Sequence, residues 1–342
     1  MVIPFPDEAH YQAACARQNQ LIKPTGALGR LEDIACWFAA RQRNAIPAAL
    51  KPAIAVFAAD HGVAAQNVSA YPAAVTQAML GGLAKGQAAI AVLAREMDAI
   101  YYVVDVGVNR TDNTPEGVFD ERVANGTHDL SMQAAMTSAQ AERAMSVGAS
   151  YADRAIEQGA TLLIAGEVGI GNTTTATCVI SALTGLDPDM LVGSGTGLDA
   201  KGREHKLDVV HRALKRASLN DPSATQTLPE LGGFEIAAMA GYYLQSARRG
   251  VPVLLDGYIS AAAALVAHRM EPLSRDWMMA SHQSAELGHA LALEHLQLKP
   301  LLSLGMRLGE GIGAAIAVSL IQSALRLHRE MATFAEAGVP GA

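Results

Sequence analysis

Thr161-Leu162-Leu163-Ile164-Ala165-Gly166-Glu167-Val168-Gly169-Ile170-Gly171-Asn172-Thr173-Thr174-Thr175 is the stretch that decides the fold. Residues 161–165 form an apolar run without alternation, which suits a strand buried on both faces of a parallel sheet. A glycine-rich turn follows and leads into a helical pattern at 172–184. Glycines let the backbone approach an anion closely, and the free N–H groups of a helix start supply donors. The threonine hydroxyls add more. The segment reads as a phosphate cradle, or more plainly as a tight strand-to-helix turn. It lacks the lysine of a P-loop and the spacing of a dinucleotide fingerprint.

The same grammar recurs along the chain. Residues 53–59 end at Asp60-His61-Gly62, 99–104 at Asp105-Val106-Gly107, 251–255 at Asp256-Gly257 and 300–304 at Gly305. Helical patterns fill 73–97, 132–158, 202–217, 232–248, 259–269 and 278–296. Strand–helix alternation predicts an α/β fold with a doubly wound, mainly parallel sheet. Ligands of such folds sit outside the carboxyl ends of the strands, where these Asp, Glu and Gly residues should gather. Segments 7–43 and 311–335 read as helical and stand outside the alternation, with a break at Lys23-Pro24-Thr25-Gly26. The expected division is therefore an α/β domain at 44–304 and a small helical domain built from 1–43 and 305–342.

Composition narrows the function. The chain has 342 residues, 50% hydrophobic and 17% charged, with net charge −7 and mean hydropathy +0.17. That composition excludes intrinsic disorder. An acidic balance without a Lys/Arg run argues against nucleic-acid binding. Cys15, Cys36 and Cys178 are odd in number and lack metal-ligand spacing, which fits a reducing cytoplasm. No leader-like start is visible. The charge-free stretches Gly62–Ala84 and Val168–Leu186 are too polar or too glycine-rich to read as membrane spans.

Three further motifs carry candidate chemistry. Val192-Gly193-Ser194-Gly195-Thr196-Gly197-Leu198-Asp199 is a second glycine loop, and Lys206 follows Thr196 by ten residues on a helical pattern. Together with the first loop it suits a phosphate held from two sides; alone, Lys206 reads as a solvated surface residue. Gly305-Met306-Arg307-Leu308-Gly309-Glu310-Gly311 opens the final helix. Burial would raise the pKa of Glu310 and suit it to general-base work, whereas the helix dipole would lower it. The sequence leaves that contest open. Asp60-His61-Gly62, Ser69, Tyr71-Pro72 and Gln77 could line a pocket for a planar ligand, with Pro72 opening a helix. As plainer readings, Ser69 is a turn residue and Tyr71 a core ring. No HExxH or Gly-x-Ser-x-Gly motif is present. His282, Glu286, His289 and His295 read as surface or cap residues of a helix, and Cys178 as an inert buried thiol.

Taken together, GEVGIGNTTTA (166–176), VGSGTGLD (192–199), ELGGFEIAAMAG (230–241), LLDGYISAAAA (254–264) and LGMRLGEGIGAA (304–315) resemble the nicotinate-nucleotide:5,6-dimethylbenzimidazole phosphoribosyltransferases of cobalamin synthesis. So do KPTGALGRLE (23–32), AADHGV (58–63) and SAYPAAVTQAM (69–79), in the family's order over nearly the whole chain. The resemblance implies a Rossmann-like sheet with a small helical domain, a homodimer, and no metal or cofactor. It implies transfer of 5-phosphoribosyl from nicotinate mononucleotide to 5,6-dimethylbenzimidazole, giving α-ribazole 5′-phosphate and nicotinate. By motif, Glu310 would be the general base, with Glu167 and Lys206 as further catalytic positions. Gly169, Ile170, Gly171, Asn172, Thr173, Gly195 and Thr196 would hold the nucleotide phosphate, and Ser284 falls at another site position. Ser69, Gln77 and Leu308 would line the acceptor pocket. Val168 and Ser194 depart from the family's frequent Met and Arg, which bears on acceptor range and phosphate affinity.

Other functions make different demands. A nicotinamide-dependent dehydrogenase needs a dinucleotide fingerprint after the first strand, where this chain has Asp60-His61-Gly62-Val63. A non-catalytic nucleotide or base sensor would keep the glycine loops but would not need Glu310. A phosphoribosyltransferase preferring another acceptor base would keep both.

Overall fold

The computed structural model describes residues 2–340. Six parallel strands form one sheet: β1 Pro52–Ala59, β2 Ile100–Gly107, β3 Val118–Asp120, β4 Leu162–Val168, β5 Val253–Leu255 and β6 Met278–Ala280. Their order is β3-β2-β1-β4-β5-β6. The order reverses between β1 and β4, which opens a crevice at their carboxyl ends.

Fourteen α-helices surround the sheet among the described residues. They are α1 Glu8–Gln18, α2 Arg30–Gln42, α3 Ala74–Ala84, α4 Ala89–Glu96, α5 Ser138–Glu157, α6 Asn172–Thr184 and α7 Pro188–Leu191. The rest are α8 Ala200–Ala217, α9 Ala224–Leu231, α10 Phe234–Arg248, α11 Tyr258–Met270, α12 His289–His295, α13 Ile312–Glu330 and α14 Phe334–Ala337.

Each face of the sheet has its own core, which is why the strands read as unbroken apolar runs. Ala53, Ala55, Phe57 and Ala59 of β1 pack toward α5, α6, α10 and α11. Ile54, Val56 and Ala58 point the other way, toward α2, α3, α4 and α13. On the first face α5 and α10 approach closely. A Cβ at Gly148 would overlap the Ala238 carbonyl, and one at Gly241 would overlap that of Met145. The chain ends meet: α1 packs on α2, and the Arg17 guanidinium donates to the carbonyls of His328, Arg329 and Met331. Both α2 and α13 also contribute to the second core.

Several boundaries differ from the sequence reading. The 73–97 pattern is two helices, broken at Lys85–Ala88, where Gly86 takes φ +73°. The first of them opens at Ala74 behind an Ala73 cap, two residues later than Pro72 suggested. The start of α5 is set not at 132 but at Ser138, by a reciprocal Thr137–Gln140 capping box. The 278–296 pattern is not one helix: it begins as β6, crosses a loop at 281–288 and ends as α12. Residues 300–304 do not form a strand. With β6 beside β5 and no N–H on Pro300, the segment makes only the single bridge His282–Leu302, while the Leu301 N–H reaches the Ala280 and Ser281 carbonyls.

Candidate active site

The crevice holds a cavity of about 230 Å³. Its walls come from the loop after β4, the second glycine loop, the loop after β6 and the approach to α13. Tyr71, Val75 and Met79 close one side. Of the residues singled out from sequence, Glu167, Val168, Gly169, Ile170, Asn172, Thr173, Gly195, Thr196, Ser284, Leu308 and Glu310 all line it.

The glycine turn ends in Gly171, whose φ of +99° makes it the N-cap of α6. No side chain caps that helix, so its N-terminal end faces the cavity as an electropositive surface. The loop is braced from below, where the Ile170 N–H donates to Thr76 Oγ1 at 3.0 Å. The second glycine loop docks against it. Lys206 Nζ donates to Thr173 Oγ1 at 2.8 Å, and a Cβ on Gly195 would lie 3.1 Å from that hydroxyl and 3.2 Å from the ammonium. Thr196 Oγ1 accepts from the Ala70 N–H and bonds Ser69 Oγ, both at 2.9 Å.

Lys206 is therefore not the solvated residue that its helix pattern allowed. It is fully buried, and burial pushes its pKa down to about 8 against the pull of the Glu286 carboxylate. Its ammonium sits behind Thr173 rather than on the cavity wall.

Glu310 follows Gly309 and precedes Gly311, with φ values of +85°, +61° and +95°. A glutamate in this left-handed region is strained by about 1–3 kcal/mol, and such strain persists only where the surroundings impose it. Here the bare Gly166 on β4 faces the Glu310 carbonyl so closely that a Cβ would overlap it. The contest over this carboxylate is settled by a different residue. Asp256, at the end of β5, accepts from the Gly311 and Ala314 N–H groups at 3.1 Å each and so takes the α13 terminus. Glu310 is left 4% exposed, with Oε2 buried and unpaired. Burial raises its pKa; the Ile90 N–H opposes that and the Asp256 charge adds to it.

Glu167 stands nearby at the end of β4 and accepts from the Asn172 amide. Burial, then the like charges of Glu235, Asp256 and Glu310, push its pKa up to about 8. Gly309 passes so close to it that a Cβ there would overlap the Glu167 carboxylate.

Some expectations are not met. Gln77 lies one turn into α3, bonds Asp112 at 3.2 Å and does not line the cavity. Tyr71 is not a core ring: it is 56% exposed at the mouth. His282 and Glu286 are not on a helix surface. They are buried in the loop after β6 and line the cavity, and His289 is likewise buried. Burial pushes His289 down to about 3. Cys178 is buried, and its thiol is pushed up to about 12, consistent with inertness. His282, Glu286 and Arg307 line the cavity although the sequence did not single them out for it, and Asp256 stands outside the lining, where it holds the α13 terminus. The signal for Asp256 was its place at a strand end. Ser194 lies in an adjoining cavity of about 450 Å³ that also includes Arg203 and Arg307, so two other guanidinium groups are near that position.

Among the described residues, no cluster of three or more His, Cys, Asp or Glu is placed to hold a metal, and no helix is long and apolar enough to cross a membrane.

Known proteins resemble this chain along nearly its full length. A family model described as a phosphoribosyltransferase matches residues 3–339. A protein of Chromobacterium violaceum named nicotinate-nucleotide–dimethylbenzimidazole phosphoribosyltransferase is 54% identical over 329 residues, covering 96% of this chain and 95% of the relative. One of the same name from Bradyrhizobium diazoefficiens is 48% identical over 331 residues, covering 97% and 94%. The crystal structure of CobT from Thermus thermophilus superimposes with a TM-score of 0.94 at 44% identity, covering 98% of this chain and all of that one.

Proposed function

This chain belongs to the nicotinate-nucleotide–dimethylbenzimidazole phosphoribosyltransferase family, and from that premise we propose how its own residues carry out the transfer. The enzyme moves 5-phosphoribosyl from nicotinate mononucleotide to 5,6-dimethylbenzimidazole, yielding α-ribazole 5′-phosphate and nicotinate. One observation carries the reading: a buried, unpaired Glu310 carboxylate lines the same cavity as the uncapped end of α6.

The donor phosphate docks at Gly169–Thr173, drawn by the partial positive charge at the start of α6, where the Ile170, Asn172 and Thr174 N–H groups already donate to Thr76 Oγ1 and to the Gly169 and Gly171 carbonyls. Lys206 completes that site through Thr173, with Gly195 and Thr196 closing over it. The flat acceptor lies against Leu308, Tyr71 and Met79, an apolar wall with few polar contacts. The glycosidic C–N bond breaks with its electron pair passing to the pyridinium nitrogen, so nicotinate leaves without needing an acid. The acceptor's unprotonated ring nitrogen attacks the anomeric carbon from the opposite face, which inverts the linkage. The proton on its other ring nitrogen passes to Glu310. Glu167, with its pKa at about 8, stabilises the positive charge that builds on the sugar once it is ionised, so its contribution grows as pH rises toward that value. Ser284 holds the loop after β6 in shape: its hydroxyl donates to the Met306 carbonyl at 3.2 Å and accepts from the Glu286 N–H at 3.2 Å.

Much of the rate comes from holding two rings on opposite sides of one sugar. The same proposal takes the protein as cytoplasmic and homodimeric, with segments 1–43 and 305–342 acting as a small helical domain. Incubation with nicotinate mononucleotide and dimethylbenzimidazole should release nicotinate in step with α-ribazole phosphate. Failure to release nicotinate would overturn the reading.

A further inference from the structure

The Asp60-His61-Gly62 motif and the Glu235 of ELGGFEIAAMAG remain outside this mechanism, yet they meet directly beneath the glycine turn. His61 Nε2 lies 2.8 Å from Glu235 Oε1, and His61 Nδ1 lies 3.0 Å from Thr175 Oγ1 on the first turn of α6. Both His61 and Glu235 are buried. We infer that His61 and Glu235 are positioning residues of the transfer reaction: the Glu235–His61–Thr175 relay is the floor that holds the 169–171 turn in shape for the donor phosphate and places a fixed carboxylate behind Glu167. This inference rests on the proposed function.

Contacts on all sides of the ring support it. A Cβ at Gly169 would lie 3.2 Å from His61 Nε2, and one at Gly171 would lie 3.3 Å from His61 Cβ. The phosphate turn therefore rests on this imidazole, and its glycines are what let it do so. Gly233 presses on the other side, where a Cβ would overlap His61 Cε1 and lie 2.7 Å from Glu235 Oε2. With both nitrogens bonded, the ring cannot rotate without losing a buried partner. Glu235 Oε2 itself has no hydrogen-bond partner. A buried pair of this kind adds little stability over apolar residues of the same shape. What it supplies is position and field.

The field acts on Glu167. The Asn172 amide of α6 donates to that carboxylate, and the groups that act on it electrostatically are Glu235 and Tyr243 on α10, Asp256 at the end of β5 and Glu310 before α13. Asp256 is paired with His282 at 3.9 Å, and Asp60 lies within electrostatic reach of His61. Among the charges that hold Glu167 high, Glu235 has the largest effect. Removing it lowers the pH at which Glu167 ionises.

The test uses two variants of the full-length enzyme. Glu235→Gln keeps an oxygen acceptor for His61 and removes the charge. The limb of the kcat–pH profile that belongs to Glu167 should move down by about half a unit or more, with the melting temperature within a few degrees of wild type. His61→Ala should raise the KM for nicotinate mononucleotide roughly five- to tenfold and leave the KM for the acceptor unchanged. A Glu235→Gln profile that superimposes on wild type, with unchanged donor KM, overturns the inference even if His61→Ala fails to fold. Should wild type transfer no phosphoribosyl group at all, the proposed function fails. The floor is then read by calorimetric binding of nicotinate mononucleotide, which Glu235→Gln or His61→Ala must weaken for the inference to stand.

Discussion

Replacing Gly166 by alanine tests whether the placement of Glu310, and not merely its presence, drives turnover. A Cβ at Gly166 would collide with both the carbonyl oxygen and the carbonyl carbon of Glu310. Ordinary van der Waals contact begins at 3.4 Å, so a displacement on the order of 1 Å is needed. Two elements could move. β4 is paired on both sides, to β1 and β5, and its residues 162–167 are buried. The 309–311 segment is a loop of three consecutive left-handed residues. The loop yields first and carries the Glu310 carboxylate with it. Misplacing a catalytic group by about 1 Å costs roughly 10²-fold in rate, or about 2.7 kcal/mol of barrier. Gly166→Ala should therefore lose roughly two orders of magnitude in kcat, while the donor KM stays within a few-fold because the α6 terminus is untouched. Initial rates of nicotinate release at saturating substrates, with calorimetric donor binding in parallel, provide the measurement. A kcat within threefold of wild type in a folded Gly166→Ala protein would show that Glu310 does not depend on this contact, and the geometric argument would fail.

Glu310→Gln should lower kcat by roughly 10²–10⁴-fold while preserving donor affinity; a near-normal rate removes Glu310 from the mechanism. Because its pKa is raised by burial, Glu310 should give an acid limb above the ordinary glutamate value of 4.5 that persists in Glu167→Gln, where the Glu167 limb is gone; a rate flat down to 4.5 in that variant would contradict it. Lys206→Met, close in shape but uncharged, should mainly raise the donor KM; an unchanged value would exclude the phosphate-side role. Glu167 gives a stability signature: its folded pKa of about 8 lies above the ordinary 4.5, so its proton is bound more tightly in the folded state. The stabilising contribution is complete below pH 4.5 and is lost as pH rises through 8, by a few kcal/mol. Thermal melts from pH 4.5 to 8.5 should show wild type losing more stability than Glu167→Gln, and parallel curves would refute the shift.

What was legible in the sequence follows from what the residues do locally. The strands at 53–59 and 161–165 were readable because burial on both faces demands unbroken apolar runs. The turn at 166–175 was readable because its glycines serve close approaches, to Glu310 at Gly166 and to His61 at Gly169 and Gly171. The loop carrying His282, Ser284 and Glu286 was hidden inside a pattern that mimics a helix, since β6 is only three residues long and owes its existence to pairing with β5. The resolution of the Glu310 question depended on Asp256, which is 54 residues away in the chain yet caps the same helix. Side-chain caps within one turn leave a sequence signature; a cap supplied across the sheet leaves none.

That cross-sheet cap makes the shape of one loop depend on a strand distant in sequence. The first turn of α13 has no carboxylate of its own to seat it and borrows one from β5, which is flanked by β4 and β6. The setting of Glu310 therefore depends on pairing between strands far apart in sequence, which brings Asp256 to the Gly311 and Ala314 N–H groups. A substitution that loosens β5 would accordingly be felt at Glu310 as well as in the sheet.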